Sequence, residues 1–365
     1  KGEGDDIALG TNREPTQVCE ALKQNKSKHY ESGIEHGTVT AIEDNYTFEI
    51  TTLRKDISTD GRHAEVKFTK DWKTDASRRD FTINSIYSDK DGNLFDPFNG
   101  KQDLENGIVN FIGEADKRIK EDYLRILRYL RFFLNYSKQQ HIPENVRKLK
   151  MNINGILKLS KERLLDELKK ITKVEILEKL SNDKISLEIF LIIFPELKNI
   201  KVFSKLNSIQ KDLLKEKDFI FLLSLMIIDE TDNTDYFLYN FNVSKKEQRR
   251  IKSIDNFFKD KFNSKSLTKN NMDEIFYYQG KEVILDILNY KIIKSKKIDN
   301  SLKQSINYYE KKITPIMPVN ADFLMKKFKI SEGKQLGDKL RIIENYWVKN
   351  NFKISDEDVD NIVNS

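Results

Sequence analysis

Cysteine is almost missing from this chain: Cys19 is the single one in 365 residues. One thiol excludes an internal disulfide framework and any zinc site built from several cysteines, and it fits a reducing compartment. Four scattered histidines argue against a His-based metal cluster. Proline and glycine are scarce, at 6 and 14, which argues against a loop-rich or all-β protein. No apolar run reaches the ~20 residues of a membrane span. The longest, Phe219 to Ile228, is about half that length and reads as a buried helix. Charge of one sign is also short: 64 basic against 58 acidic residues leave only +6, which matters only where it is concentrated on one surface.

Charged residues are abundant at 33%, and 22 Phe with 14 Tyr can fill sizeable cores, which argues against wholesale disorder. The length suggests two or three domains at ~100–200 residues each. Residues 1–112 carry short runs of β type, at Gly37–Ile42, Tyr46–Thr52, His63–Phe68 and Phe81–Tyr87, with turn signals at Asp60-Gly61 and Asp91-Gly92. Pro15–Lys23 reads as one helix. From about Ala115 the period turns helical: Ile119, Tyr123, Ile126, Leu127, Leu130 and Phe133 share one stripe. Further helices follow to the end, one from Ser160 as its N-cap, with Pro315 and Pro318 marking a linker. The expected layout is α+β: a small mixed-sheet head over 1–112, then an all-α neck over 113–175, a body over 176–314 and a tail over 315–365. The chain starts at Lys1 rather than Met, and residues of the head are expected to be missing ahead of it.

Four features bear on chemistry. Asp5 and Asp6 are neighbouring carboxylates that suit Mg²⁺, although acidic pairs near chain ends are usually solvated. Arg78, Arg79 and Asp80 precede the run Phe81–Tyr87, and guanidinium forks beside a carboxylate suit a triphosphate and a ribose; a local salt bridge is the plainer reading. The segment DPFNGKQDL, from Asp96, reads as a structural turn leaving the head. In RIKEDYLRILRYLRF, from Arg118, the spacing puts Asp122 and Arg125 on one helix face, with Arg128 a turn further on. That is either an exposed helix laced with ion pairs or a reader of base edges. Cytosine and adenine both present an exocyclic amine beside a bare ring nitrogen, which an Asp acceptor next to an Arg donor matches; uracil and guanine present the reverse.

Taken in series, FEITTLRKDISTDGRHAEVKF, RRDFTINSIY, DPFNGKQDL, RIKEDYLRILRYLRF and the late segment MPVNADFLMKKFKISEGKQLGDKL closely resemble the class II CCA-adding tRNA nucleotidyltransferases, the branch shared with bacterial poly(A) polymerases. The resemblance implies a polymerase-β-like head and template-independent addition of C, C and A to a tRNA 3′ end from CTP and ATP, with release of pyrophosphate and two Mg²⁺ ions at work. It implies metal-binding, catalytic roles for Asp5 and Asp6. It implies nucleotide contacts from Arg78, Arg79, Asp80 and Asn84, and base reading by Asp122 and Arg125 with Arg128 in support. Asp60, Gly61 and Arg62 match the flexible loop tied to the switch from C to A. Glu162 and Arg163 resemble the element that steadies the neck helices, and Glu49 is a candidate auxiliary carboxylate. The family's Gly-Gly segment is absent, its Asp-x-Asp is replaced by adjacent Asp5 and Asp6, and Gly4 stands where register puts the first carboxylate.

Lys-rich stretches at Ser244–Lys252 and Lys291–Lys297 are candidate phosphate contacts, with a solvated helix face as the plainer reading. A tRNA partner, no membrane partner, a monomer and a cytoplasmic location are expected. Three readings stay open: the CCA-adding enzyme, a poly(A) polymerase or partial C- or A-adding enzyme of the same family, and a tRNA-binding protein without catalysis.

Overall fold

The structure is a computed structural model describing residues 8–31, 33–44, 46–59, 64–259, 267–295 and 299–365. Asp5, Asp6, Asp60, Gly61 and Arg62 lie outside the described residues. The chain divides into two compact units, one of residues 1–171 with 175–195, the other of 172–174 with 196–365.

The first unit opens on a four-stranded sheet in the order β1-β4-β3-β2, with β1 at Ala8–Thr11, β2 at Lys28–Tyr30, β3 at Thr38–Glu43 and β4 at Tyr46–Thr52. β1 runs parallel to β4, with Ala8 beside Glu49 and Gly10 beside Thr51; the other pairs are antiparallel. Along β3, Val39 and Ala41 are buried and their neighbours are not, as a one-sided strand requires. Val39 packs on Val18 and Cys19 of helix α1, Pro15–Gln24, whose start is fixed by Pro15 at the first position and a capping box between Glu14 and Gln17.

A hairpin of β5 (Arg54–Thr59) and β6 (Ala64–Phe68) follows, then helix α2, Trp72–Ser77, whose first amides donate to the Asp71 side chain. The run Phe81–Tyr87, expected as one strand, is instead a tight helical turn at Thr82–Asn84 and a two-residue strand β7, Tyr87–Ser88, paired with β8, Leu94–Phe95. Alternation misled here because Phe81 is fully buried against Phe111 and Phe132 while Asn84 bends back onto Asp80.

Helices α3 (Gly100–Asn106), α4 (Ala115–Glu121), α5 (Arg125–Tyr136), α6 (Pro143–Asn152), α7 (Lys161–Ile171), α8 (Val174–Asn182) and α9 (Lys184–Ile193) complete this region. Ile119, Ile126, Leu127 and Leu130 of the expected stripe are buried. Tyr123 lies flat over Gly155, where a Cβ would collide with the ring. His141 is buried between Tyr129 and the α9 cap, 3.2 Å from the Tyr129 hydroxyl and 3.0 Å from the Asp183 carboxylate.

The second unit is helical: α10 (Ser208–Lys215), α11 (Phe219–Ile227), α12 (Asn233–Asn240), α13 (Lys245–Lys259), α14 (Lys269–Gln279), α15 (Lys281–Lys294), α16 (Asn300–Lys311), α17 (Ala321–Phe328), α18 (Lys334–Lys349) and α19 (Asp356–Asn364). α11 is buried from Ile220 to Ile227, as its unbroken apolar run requires. Val319, Leu324, Leu336, Ile343 and Val359 form a separate small core under the last three helices. The basic stretch Ser244–Lys252 is partly spent on the fold: Arg250 is clamped by Asp218, Glu282 and Asp286, and Lys252 pairs with Asp235 at 2.7 Å. No helix among the described residues is long and apolar enough to cross a membrane.

Replacing Gly155 with Ala is expected to destabilise the chain by about 1–3 kcal/mol, because the added Cβ would fall on the ring of Tyr123 and force it to move. Urea unfolding should show a lower midpoint at unchanged slope.

Candidate active site

A cleft of about 1330 Å³ opens within the first unit, lined by β1, β4, the end of α2, the turn after it, and α5 with α7. Seven arginines and five acidic residues line it, so it carries net positive charge and favours a polyanion. Arg78, Arg79, Asp80, Asn84, Asp122, Arg125 and Arg128, singled out from scattered stretches of sequence, all line this one cleft.

Asp75 is the anchor of the arginine cluster. Its side chain is 2% exposed. One carboxylate oxygen accepts the Arg54 backbone N–H at 3.0 Å and Arg78 Nε at 2.9 Å. The other accepts the Tyr87 hydroxyl at 2.6 Å and lies 3.6 Å from the Arg79 guanidinium. Burial pushes this carboxyl up, but the Arg78 charge and the Tyr87 and Arg54 hydrogen bonds win and hold it below the usual range. Tyr87 is pushed up to about 12 by burial and by its bond to Asp75. Arg79 Nε donates to the Tyr87 hydroxyl at 3.2 Å, Nη1 donates to the Asn84 carbonyl at 3.3 Å, and the guanidinium lies over the Tyr87 ring at 5.1 Å. Arg79 is 38% exposed and Arg78 17%, so Arg78 is locked inward and Arg79 faces the cleft.

Arg54 closes the same cluster. Burial and then the nearby Arg78 lower its affinity for the proton, as three guanidiniums round one carboxylate must. Arg54 Nε and Asp56 Oδ1, 3.8 Å apart, are buried without a hydrogen-bond partner among the described residues. Oxygen donors suited to a hard cation are therefore present: the orphaned Asp56 oxygen and the exposed carboxylate of Glu49 on β4.

Asp80 is 6% exposed and fully engaged: Oδ1 accepts the Phe81 N–H at 3.0 Å and Asn84 Nδ2 at 2.9 Å, and Oδ2 accepts Arg128 Nε at 2.5 Å. Burial raises its pKa, but Arg128 and these donors hold it below the ordinary value. In this arrangement Asp80 positions Arg128 across the cleft wall.

The spacing argument for Asp122 and Arg125 does not survive. They are not on one helix face, because the helix stops at Glu121 and restarts at Arg125, with Asp122 extended at φ −153° and ψ 107°. The cause is local: Asp122 Oδ1 accepts the Leu124 N–H at 3.1 Å, an alternative to helical bonding. Asp122 Oδ2 accepts Arg163 Nη2 at 2.8 Å, while Arg125 Nη1 donates to Glu121 at 2.6 Å and to the Arg118 carbonyl at 2.6 Å.

Three residues that hold the cleft in shape escaped the sequence reading. Asp75 looked like an ordinary helix residue, although it stands five before Asp80 in the same basic segment. Arg118, inside a quoted motif, donates to the backbone carbonyls of both Arg78 and Arg79 and so fixes that turn. Arg131 pairs with the buried Glu167 and lies over Phe132 at 4.2 Å.

Comparison with known proteins bears on the whole chain. The family model for the poly A polymerase head domain matches residues 1–110, and that for tRNA nucleotidyltransferase domain 2 matches residues 212–359. The mitochondrial CCA tRNA nucleotidyltransferase 1 of Mus musculus is 33% identical over 97% of this chain and 81% of its own length. The Homo sapiens protein of the same name is 49% identical over 46% of this chain, a match spanning 39% of that relative. Among solved structures, the Bacillus stearothermophilus CCA-adding enzyme in complex with CTP aligns with a TM-score of 0.68 at 20% identity, covering 95% of this chain and 84% of that one. At that identity the likeness is one of fold.

Substituting Arg128 by Met should cost about 3–5 kcal/mol at neutral pH, because it strands the buried Asp80 carboxylate, and should cost far less in an Asp80→Asn background. Since the folded Asp80 titrates below its unfolded value, its contribution is complete above ~pH 4 and disappears as pH falls through the folded value. Denaturant melts of the four proteins at pH 7 and pH 3 test both statements.

Proposed function

The chain belongs to the CCA tRNA nucleotidyltransferase family, and we propose that it adds C, C and A to the 3′ end of tRNA, taking CTP and ATP as substrates. The carrying observation is the cleft itself, which gathers seven arginines and the Asp122 carboxylate from segments far apart in sequence.

In the reaction the terminal 3′-hydroxyl oxygen bonds to the α-phosphorus of the nucleotide. The bond from that phosphorus to the bridging oxygen breaks, the hydroxyl proton is lost, and pyrophosphate leaves. Arg79, the most exposed guanidinium of this cluster, meets the triphosphate, and Arg78 and Arg54 add fixed positive charge behind it. Asp122 supplies the acceptor for the exocyclic amine of C or A, and Arg125 is the donor for the bare ring nitrogen once it leaves Glu121. Arg163 holds the Asp122 carboxylate in place. Asp5, Asp6 and Glu49 are the residues that would hold Mg²⁺, which when bound supplies Lewis-acid stabilisation of the phosphate oxygens.

A second reading, tRNA binding without catalysis, is favoured by one observation. Gly4 stands where the family's register puts the first metal carboxylate, and glycine carries no donor atom there. The decisive experiment gives the chain Mg²⁺, a tRNA lacking its 3′ CCA, and each nucleotide singly and in pairs. Addition of two C and then one A supports the enzyme. A long A tail or C alone shifts it to the poly(A) or partial branch, and retained tRNA binding with no incorporation supports the second reading. In an active chain, Asp122→Ala should lower discrimination of C and A against U and G by about tenfold or more, the effect of losing one charged hydrogen bond. Unchanged selectivity in single-nucleotide assays would remove Asp122 from base reading. Arg79→Ala should raise KM for CTP and ATP alike by about tenfold with smaller change in base choice.

A further inference from the structure

The sheet has a second face, turned away from the cleft. Glu49 and Thr51 of β4 line the cleft, so by alternation Ile50, with Val39 beside it, looks toward α1. On β2, His29 stands opposite Ala41, and Ala41 shares the face of Val39. Glu31 stands just past the end of β2, close to both His29 and Cys19. Cys19 comes down from α1 onto this face and is 4% exposed.

These three residues bring a thiol sulfur, an imidazole nitrogen and a carboxylate oxygen within 4.8 Å of one another. His29 Nδ1 lies 3.2 Å from the Ser27 carbonyl. A carbonyl only accepts, so in the neutral ring the proton sits on Nδ1 and the lone pair on Nε2. That is the usual way a metal-ligating histidine is held by its surroundings. The Cys19 sulfur and the Glu31 carboxylate lie side by side.

We propose that Cys19, His29 and Glu31 form a site for a single zinc-class divalent ion, separate from the Mg²⁺ of catalysis. The donor set selects the class. A thiolate and an imidazole suit Zn²⁺ and its first-row neighbours, whereas Mg²⁺ takes oxygen ligands in an octahedron. Binding replaces the thiol proton: the S–H bond breaks, sulfur bonds to the ion, and one proton passes to solvent. Solvent takes the remaining coordination position, since Glu31 is exposed. The ion ties α1 to β2 at the sheet edge and supports the sheet from behind; it takes no part in nucleotide transfer.

The test is equilibrium dialysis of the full chain against Zn²⁺ under reducing conditions, paired with Co²⁺ spectroscopy. One ion per chain, a thiolate-to-cobalt charge-transfer band, and affinity weakened at least about tenfold in both Cys19→Ser and His29→Gln are the expected results. Thermal melts should show Zn²⁺ raising Tm in the wild type and not in the variants. Absence of stoichiometric Zn²⁺, a cobalt spectrum without the thiolate band, or stoichiometry indifferent to the substitutions would each overturn the proposal. Should Cys19→Ser disturb the core, His29→Gln and Glu31→Gln, both outside the buried cluster, still decide it. The outcome is independent of whether the chain adds nucleotides.

Discussion

A single buried carboxylate, Asp75, makes the rest of the cleft possible. Arginines that must meet a polyanion repel one another before it arrives, and a low-dielectric wall makes that repulsion worse. Asp75 answers it by accepting from Arg78, Tyr87 and the Arg54 backbone while standing close to Arg79. The result is an ordered gradient from a locked guanidinium to one left facing solvent. Donors fixed in advance need little reorganisation when charge develops on a phosphate, which is where electrostatic catalysis gains most.

The same division recurs at each part of the wall. Asp80 holds Arg128, Glu167 holds Arg131, and Arg163 holds Asp122, so each of these charged wall residues is fixed by a partner of opposite sign. Arg118 extends the scheme to the main chain by gripping two consecutive carbonyls, those of Arg78 and Arg79. The cleft is thus a set of paired roles, and the aromatic packing of Phe81, Phe111, Tyr129 and Phe132 beneath it supplies the rigid floor.

Much of this was legible in the sequence, for physical reasons. The one-sided strands of the sheet, the α1 start at Pro15 and the buried α11 follow from periodicity and capping alone. The seven candidate residues that fall among those described do meet in one cleft. What failed was geometry that depends on side-chain competition. Helical spacing joined Asp122 to Arg125, but the Asp122 carboxylate takes a backbone N–H and ends the helix. Alternation drew a strand through Phe81–Tyr87, but the Asn84 bond to Asp80 curls it into a turn. Asp75 and Arg118 passed as ordinary helix ion pairs because their local partners, Arg78 and Glu121, mask the distant contacts that matter, to Tyr87 and the Arg54 backbone for Asp75 and to the Arg78 and Arg79 carbonyls for Arg118.

The flat contact between Tyr123 and Gly155 carries an evolutionary corollary. The two positions are far apart in sequence, yet the size allowed at one is set by the ring at the other. Tyr123 also sits in the gap between α4 and α5, beside Asp122, so its placement fixes the path of the broken helix. Among related chains the pair should therefore vary together: where the aromatic ring is kept, position 155 stays glycine, and where the ring shrinks, a larger residue is free to appear. A constraint that looks like an isolated glycine in one sequence becomes, across many, a record of how the cleft wall is held in shape.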